Sequence, residues 1–166
     1  MARQSFDFSE LDDLYREIIL DHYRSPRNQE KLTEADIETE GFNPFCGDKV
    51  LLWIKLRDGV IDGVSFEGTG CSISQASASM LTNLIKGKSL QEAQGLYSFF
   101  RDMMYGKELS EEQLEELGEA ESLEGVRKFP IRVKCALLSW VALEDGIKQR
   151  LKGQTTGKAK NVSNKS

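Results

Sequence analysis

Cys46, Cys71 and Cys135, together with Asp48 two residues past the first of them, are the side chains here that could bind a metal or move sulfur. Cys46 and Asp48 belong to the stretch "NPFCGD", Asn43 to Asp48, where a proline and a glycine mark a bend. A thiol placed for packing sits more often inside an apolar run. Cys71 follows "GTG" ahead of a helical pattern, and Cys135 falls in "RVKCALLSW", early in another. There is no Cys-x-x-Cys pair, so linear spacing alone does not define a zinc motif, and three unrelated thiols is the plain alternative.

The local chemistry favours a shared site. Gly47, Gly68 and Gly70 flank two of the thiols and let the backbone approach an ion closely. Asp48 can point with Cys46 toward one ion if the chain turns at Gly47. Cys71, ahead of a helix, feels the positive end of the dipole, which favours the thiolate that metals bind. Three thiolates and a carboxylate fill a tetrahedral zinc shell and leave it electron-rich. Cys135 has a second reading, because Ile131, Cys135, Leu138 and Ala142 follow helical spacing and could simply pack a core. Arg132, three residues earlier, could reach the same sulfur or its ligand partner, or stand on the surface. Periodicity does not decide between these.

The chain of 166 residues is long enough for one domain with a real core and no disulfide staples. Its formal charge is −5, from 22 basic and 27 acidic residues. The segment 153–166 holds three lysines and no acid, so the 1–152 body sets 19 basic residues against 27 acidic ones, or −8. An acidic body argues against nucleic acid and anionic membrane as partners and toward a basic protein surface. No apolar run approaches the ~20 residues of a membrane span, and the opening "MARQSFDFSELDD" lacks the apolar stretch of a secretory leader. A cytoplasmic location is expected, where three cysteines would stay as thiols.

The elements that must position these groups follow from pattern. Leu11, Leu14, Tyr15, Ile18, Ile19 and Tyr23 recur at helical spacing, with Ser9 and Asp12 as a capping pair and Pro26 as the stop. The pattern from Ile37 to Phe42 is weak, whereas "KVLLWIKLRDGVIDGVSFEG" reads as two strands joined by an Asp58-Gly59 turn. A helix is expected after Cys71, with Ser72 and Gln75 as a capping box and Gly87 as its close. Further helices are expected from Leu90 to Tyr105 after Ser89, in the acidic "SEEQLEEL" after Ser110, and from Pro130 through "IRVKCALLSWVALEDGIKQRL". The polar tail 153–166 is expected to be disordered. The fold class is α+β: an N-terminal helix, a small three-stranded antiparallel sheet, then packed helices, in a single domain over 1–152.

Taken together and in this order, "NPFCGD", "GTGCSISQASAS" and "RVKCALLSW", with "ILDHYRSPRN" in the first helix, resemble the U-type iron-sulfur assembly proteins, over about Leu11 to Lys148. The resemblance implies that Cys46, Asp48, Cys71 and Cys135 converge on one metal site at the end of the sheet. Scaffold members of the family, IscU-like, carry a histidine before the third cysteine and a Leu-Pro-Pro-Val-Lys segment read by a chaperone. Here Lys134 stands at the histidine's place and that segment is missing. The sole histidine, His22, is expected to be structural, capping or packing beside Tyr23. The 64 positions between Cys71 and Cys135, and Arg132 before the last cysteine, are similar to the SufU branch. That branch implies a zinc-dependent sulfurtransferase taking persulfide sulfur from a SufS-type cysteine desulfurase. On this resemblance Cys46 accepts the sulfur, leaving the metal as a donor histidine takes its place, and Asp48, Cys71 and Cys135 keep the zinc. Arg132 corresponds to the branch's functional arginine, and a downstream thiol acceptor of the SUF machinery collects the sulfur. The alternative is a scaffold that holds a transient iron-sulfur cluster on the same thiolates.

Overall fold

The computed structural model describes residues 11–153 and a short strand at 159–161. The first helix, α1 (Asp13–Arg24), is capped by Asp12, whose carboxylate accepts the Leu14 N–H at 3.0 Å. The other half of the expected capping pair, Ser9, lies outside the described residues. Of the expected apolar face, Leu11 and Ile19 are buried, but Leu14 and Tyr23 are exposed, and His22 is buried beside Ile19 instead.

His22 is fully buried and bridges elements. Its Nδ1 lies 2.7 Å from Ser79 Oγ and its Nε2 lies 2.7 Å from Glu119 Oε1. A carboxylate can only accept, so Nε2 carries the proton toward Glu119 and, in the neutral ring, Nδ1 accepts from the serine hydroxyl. Ser79 Oγ accepts in turn from the Arg27 backbone N–H at 2.8 Å, which ties down the chain after α1. His22 is thus a polar pin between helices and neither a cap nor a neighbour-packing group. Replacing it with alanine strands the buried Ser79 hydroxyl and leaves a cavity, so His22→Ala is expected to cost about 2 kcal/mol in urea unfolding with the metal content unchanged.

Three strands follow: β1 (Ile37–Asn43), β2 (Asp48–Arg57) and β3 (Val60–Thr69), each antiparallel to the next. Positive φ at Asp58 (53°) and Gly59 (78°) makes the tight turn between β2 and β3 that an Asp-Gly pair favours. β1, weak as a sequence pattern, alternates buried and less buried positions along its length because its partner strand and the helix beneath enforce the pleat. A fourth strand, β4 (Ala159–Asn161), runs parallel to β1 and gives the order β3-β2-β1-β4. Most of the tail expected to be disordered lies outside the described residues. Ala159–Asn161, which are described, lie along the edge of β1.

Four further helices follow, α2 (Ser72–Ile85), α3 (Leu90–Met104), α4 (Glu111–Leu117) and α5 (Pro130–Leu151), with a 3₁₀ segment (Gly118–Lys128) between the last two; α2 and α5 pack on the sheet, and α3 packs on α5. Capping boxes at Ser89/Glu92 and Ser110/Gln113 open α3 and α4, and Pro130 stands in the first turn of α5. The expected box at Ser72 and Gln75 does not form, because the helix starts one residue earlier with Cys71 itself as N-cap. α5 is the central beam. It lies close on β1, where a methyl added at Gly146 would meet Ile37 Cγ2 at 2.9 Å. On its other side Trp140 stacks on Phe100 of α3, with ring centroids 4.2 Å apart, and donates to Ser77 Oγ of α2 at 3.0 Å. Ser77 donates its own hydroxyl to the Ala136 carbonyl at 2.6 Å, so the buried indole and hydroxyl that join α2 to α5 are both paired. Among the described residues no helix is long and apolar enough to cross a membrane.

Candidate metal centre

The β1–β2 connection sets the first half of the site. Asn43 and Asp48 are the last facing pair of the two strands, so the chain reverses over residues 44–47 with Cys46 in the turn. Gly47 has φ +73°, a conformation costly for any side chain, which is why glycine follows the thiol. Both members of the closing pair are buried, and Asp48 is fully so.

The second half comes from two helix starts. Cys71 caps α2, and its backbone N–H donates to Asp48 Oδ1 at 3.2 Å. Cys135 sits in the second turn of α5, fully buried, its sulfur 3.4 Å from that of Cys46. The donor atoms of Cys46, Asp48 and Cys135 all lie within 4.8 Å of one another. Cys71 lies outside that trio, and its thiol is coupled electrostatically to that of Cys135. Arg132, 9% exposed, points Nη1 at the Cys135 sulfur from 3.9 Å. Ile131, counted on the apolar face of this helix in sequence, is 66% exposed instead, whereas its neighbours Arg132 and Val133 are buried.

Electrostatics distinguish the thiols. Interaction with the Cys135 thiol holds the Cys71 thiol down to about 6, against the opposing effect of burial. The same interaction, with burial added, pushes Cys135 up. Burial raises Cys46, only partly offset by its contact with Cys135. Arg132 loses charge stability by burial but gains more from Cys71 and Cys135, so it stays a cation facing sulfur.

These residues fit a tetrahedral divalent metal such as zinc. Asp48 Oδ2 is buried with no hydrogen-bond partner, a costly arrangement unless a cation takes it. Two thiolates on one tetrahedral zinc at 2.3 Å each stand about 3.8 Å apart, close to the 3.4 Å between Cys46 and Cys135. Gly70 keeps the carboxylate in place: a methyl there would lie 2.8 Å from Asp48 Cγ and 2.9 Å from Oδ1. Gly70→Ala should therefore push Asp48 off its position and weaken metal binding by about tenfold, read by competition with a chromophoric chelator.

One contact was not anticipated from sequence: the Asn43 side-chain amide donates to Cys46 Sγ at 3.1 Å. The available signal was an asparagine opening an Asn-Pro turn, a residue type that hydrogen-bonds its own loop.

The comparisons agree with this architecture. Residues 14–155 match the NifU-like N terminal domain. Over 137 residues the chain is 50% identical to the zinc-dependent sulfurtransferase SufU of Bacillus subtilis, covering 82% of this chain and 91% of that one. It is 40% identical over 159 residues to the iron-sulfur cluster assembly scaffold protein IscU of Streptococcus pyogenes, covering 93% and 98%. A crystal structure from Fervidobacterium islandicum AW-1, described as a candidate iron-sulfur cluster assembly scaffold for the SUF system, superposes with a TM-score of 0.76 at 34% identity, covering 86% and 99%. The chain belongs to the NifU-like N-terminal domain family of iron-sulfur cluster assembly proteins.

Proposed function

We propose that this protein is a zinc-dependent sulfurtransferase that takes persulfide sulfur on Cys46 from a SufS-type cysteine desulfurase and hands it to a thiol acceptor of the SUF machinery. The observation that carries this reading is the contrast in access. Cys46 is only partly buried, in a surface turn beside the exposed Phe45, whereas Cys71 and Cys135 are 4% and 0% exposed. One thiol can meet another protein's sulfur while two stay behind with Asp48. Likeness to the Bacillus sulfurtransferase over most of both chains supports the same reading. Free thiols suit a reducing compartment, and we assign the activity to the cytoplasm.

Bound zinc would hold its cysteine ligands as thiolates at neutral pH. Cys46, Asp48, Cys71 and Cys135 would hold it. Asp48 divides its carboxylate, Oδ1 on the Cys71 N–H and Oδ2 free to ligate. The Arg132 cation offsets part of the negative charge that three thiolates and a carboxylate accumulate. In the transfer the Cys46 thiolate attacks the outer sulfur of the donor's persulfide. The donor's sulfur-sulfur bond breaks, its electron pair leaves on the donor cysteine as thiolate, and Cys46 carries the persulfide.

The test is cysteine desulfurase turnover on L-cysteine with and without the zinc-loaded protein. Acceleration by a colourless protein with one zinc per chain is expected. The streptococcal relative favours a second reading, a scaffold holding a transient iron-sulfur cluster on the same ligands. A brown protein after anaerobic purification, whose cluster passes intact to an apo-acceptor without desulfurase stimulation, would establish that instead.

A further inference from the structure

We infer that Asn43 is a positioning residue for sulfur transfer, holding the Cys46 sulfur through its side-chain amide; this rests on Cys46 being the acceptor. Asn43 is 1% exposed, and both ends of its amide are committed to the loop that carries the thiol. Oδ1 accepts the Phe45 N–H at 3.0 Å, and Nδ2 donates to Cys46 Sγ at 3.1 Å. Its backbone carbonyl accepts the Gly47 N–H at 2.7 Å, on the far side of the cysteine. Because Asn43 faces Asp48 as the closing pair of β1 and β2, an amide and a carboxylate enter the site from opposite strands.

An N–H donated to a thiolate is a charge-assisted hydrogen bond that stabilises the anion without occupying the lone pair that attacks. The Cys46 sulfur must exchange its partners as the donor persulfide arrives and a new sulfur-sulfur bond forms. Through that exchange the Asn43 amide, anchored by the turn, keeps the sulfur at one place. A role confined to shaping the loop would require only an acceptor for the Phe45 N–H. Serine supplies one, since its hydroxyl can accept from the backbone two residues on, but it is too short to reach the sulfur.

Asn43→Ala and Asn43→Ser separate the two roles. In the cobalt(II)-loaded protein both variants should move the thiolate-to-cobalt charge-transfer band to lower energy, because the sulfur loses its hydrogen bond. In the zinc-loaded protein both should slow persulfide formation on Cys46 about tenfold at saturating desulfurase, with the KM for the desulfurase unchanged. A serine variant that matches the parent in band position and rate would overturn the inference and leave Asn43 as a turn residue. A band shift in a protein whose parent accepts no sulfur would overturn the acceptor role of Cys46, and this inference with it, while leaving the amide-sulfur contact standing.

Discussion

Cys46→Ser is expected to lower persulfide acceptance by at least about 10³-fold while most of the zinc stays bound. The hydroxyl that replaces the thiol is a far weaker nucleophile toward sulfur and cannot form a persulfide, so the loss is chemical and no rearrangement is needed. Asp48, Cys71 and Cys135 are buried and held by elements the substitution does not touch, so affinity should fall by roughly tenfold only. The measurement pairs desulfurase turnover with zinc analysis of the same sample, and persulfide mapping by mass spectrometry locates the sulfur. A serine variant that still accelerated the desulfurase normally would show that the acceptor lies elsewhere.

Asp48→Ala should have the opposite profile, losing the metal first and function as a consequence. Its carboxylate does two things at once: Oδ1 holds the N-terminus of α2 through the Cys71 N–H, and Oδ2 is buried with no other partner. Alanine removes a ligand and orphans that N–H, so zinc affinity should fall by roughly 100-fold or more. Thermal unfolding in the presence of zinc should drop toward that of chelator-treated wild-type protein, because ligand-linked stability vanishes with the affinity. Asp48→Asn, which keeps an acceptor for the Cys71 N–H, should recover the fold more than the metal. Equal zinc retention by Asp48→Ala and the parent would remove Asp48 from the ligand set.

How far the fold was legible depends on how local its determinants are. The Asp58-Gly59 turn, the openings of α3 after Ser89 and of α4 after Ser110, and the Pro130 start of α5 are short-range chemistry, and they form where the sequence places them. β1 was weak because its inward positions after Ile37 are Thr39, Gly41 and Asn43, none of them a large apolar residue, and only pairing with β2 over α5 makes it a strand. The 3₁₀ run Gly118–Lys128 carries no periodic signal, and its place is decided by contacts such as Glu119 with His22. At the start of α2, Ser72 and Gln75 offered a capping box, but the helix begins with Ser72 itself, so the Gln75 N–H bonds the Cys71 carbonyl at 3.1 Å, and the Cys71 N–H ahead of it goes to the Asp48 carboxylate, 23 residues away in the chain.

By itself the sequence determined the inventory: the three thiols, the carboxylate of Asp48, the arginine at 132, the bend at "NPFCGD" and an acidic body. Residue type dictates what chemistry is possible, and short spacing dictates the turns. Only the tertiary structure decided which of these groups meet and which of them stay reachable. It put the Cys46 and Cys135 sulfurs 3.4 Å apart across 89 residues of chain, left Cys46 reachable while burying the other two, and turned the Asn43 amide onto the sulfur. The physical reason is that access to solvent and distance between remote groups arise from packing, in which α2, α5 and the β1–β2 turn must be assembled before any of these contacts exists.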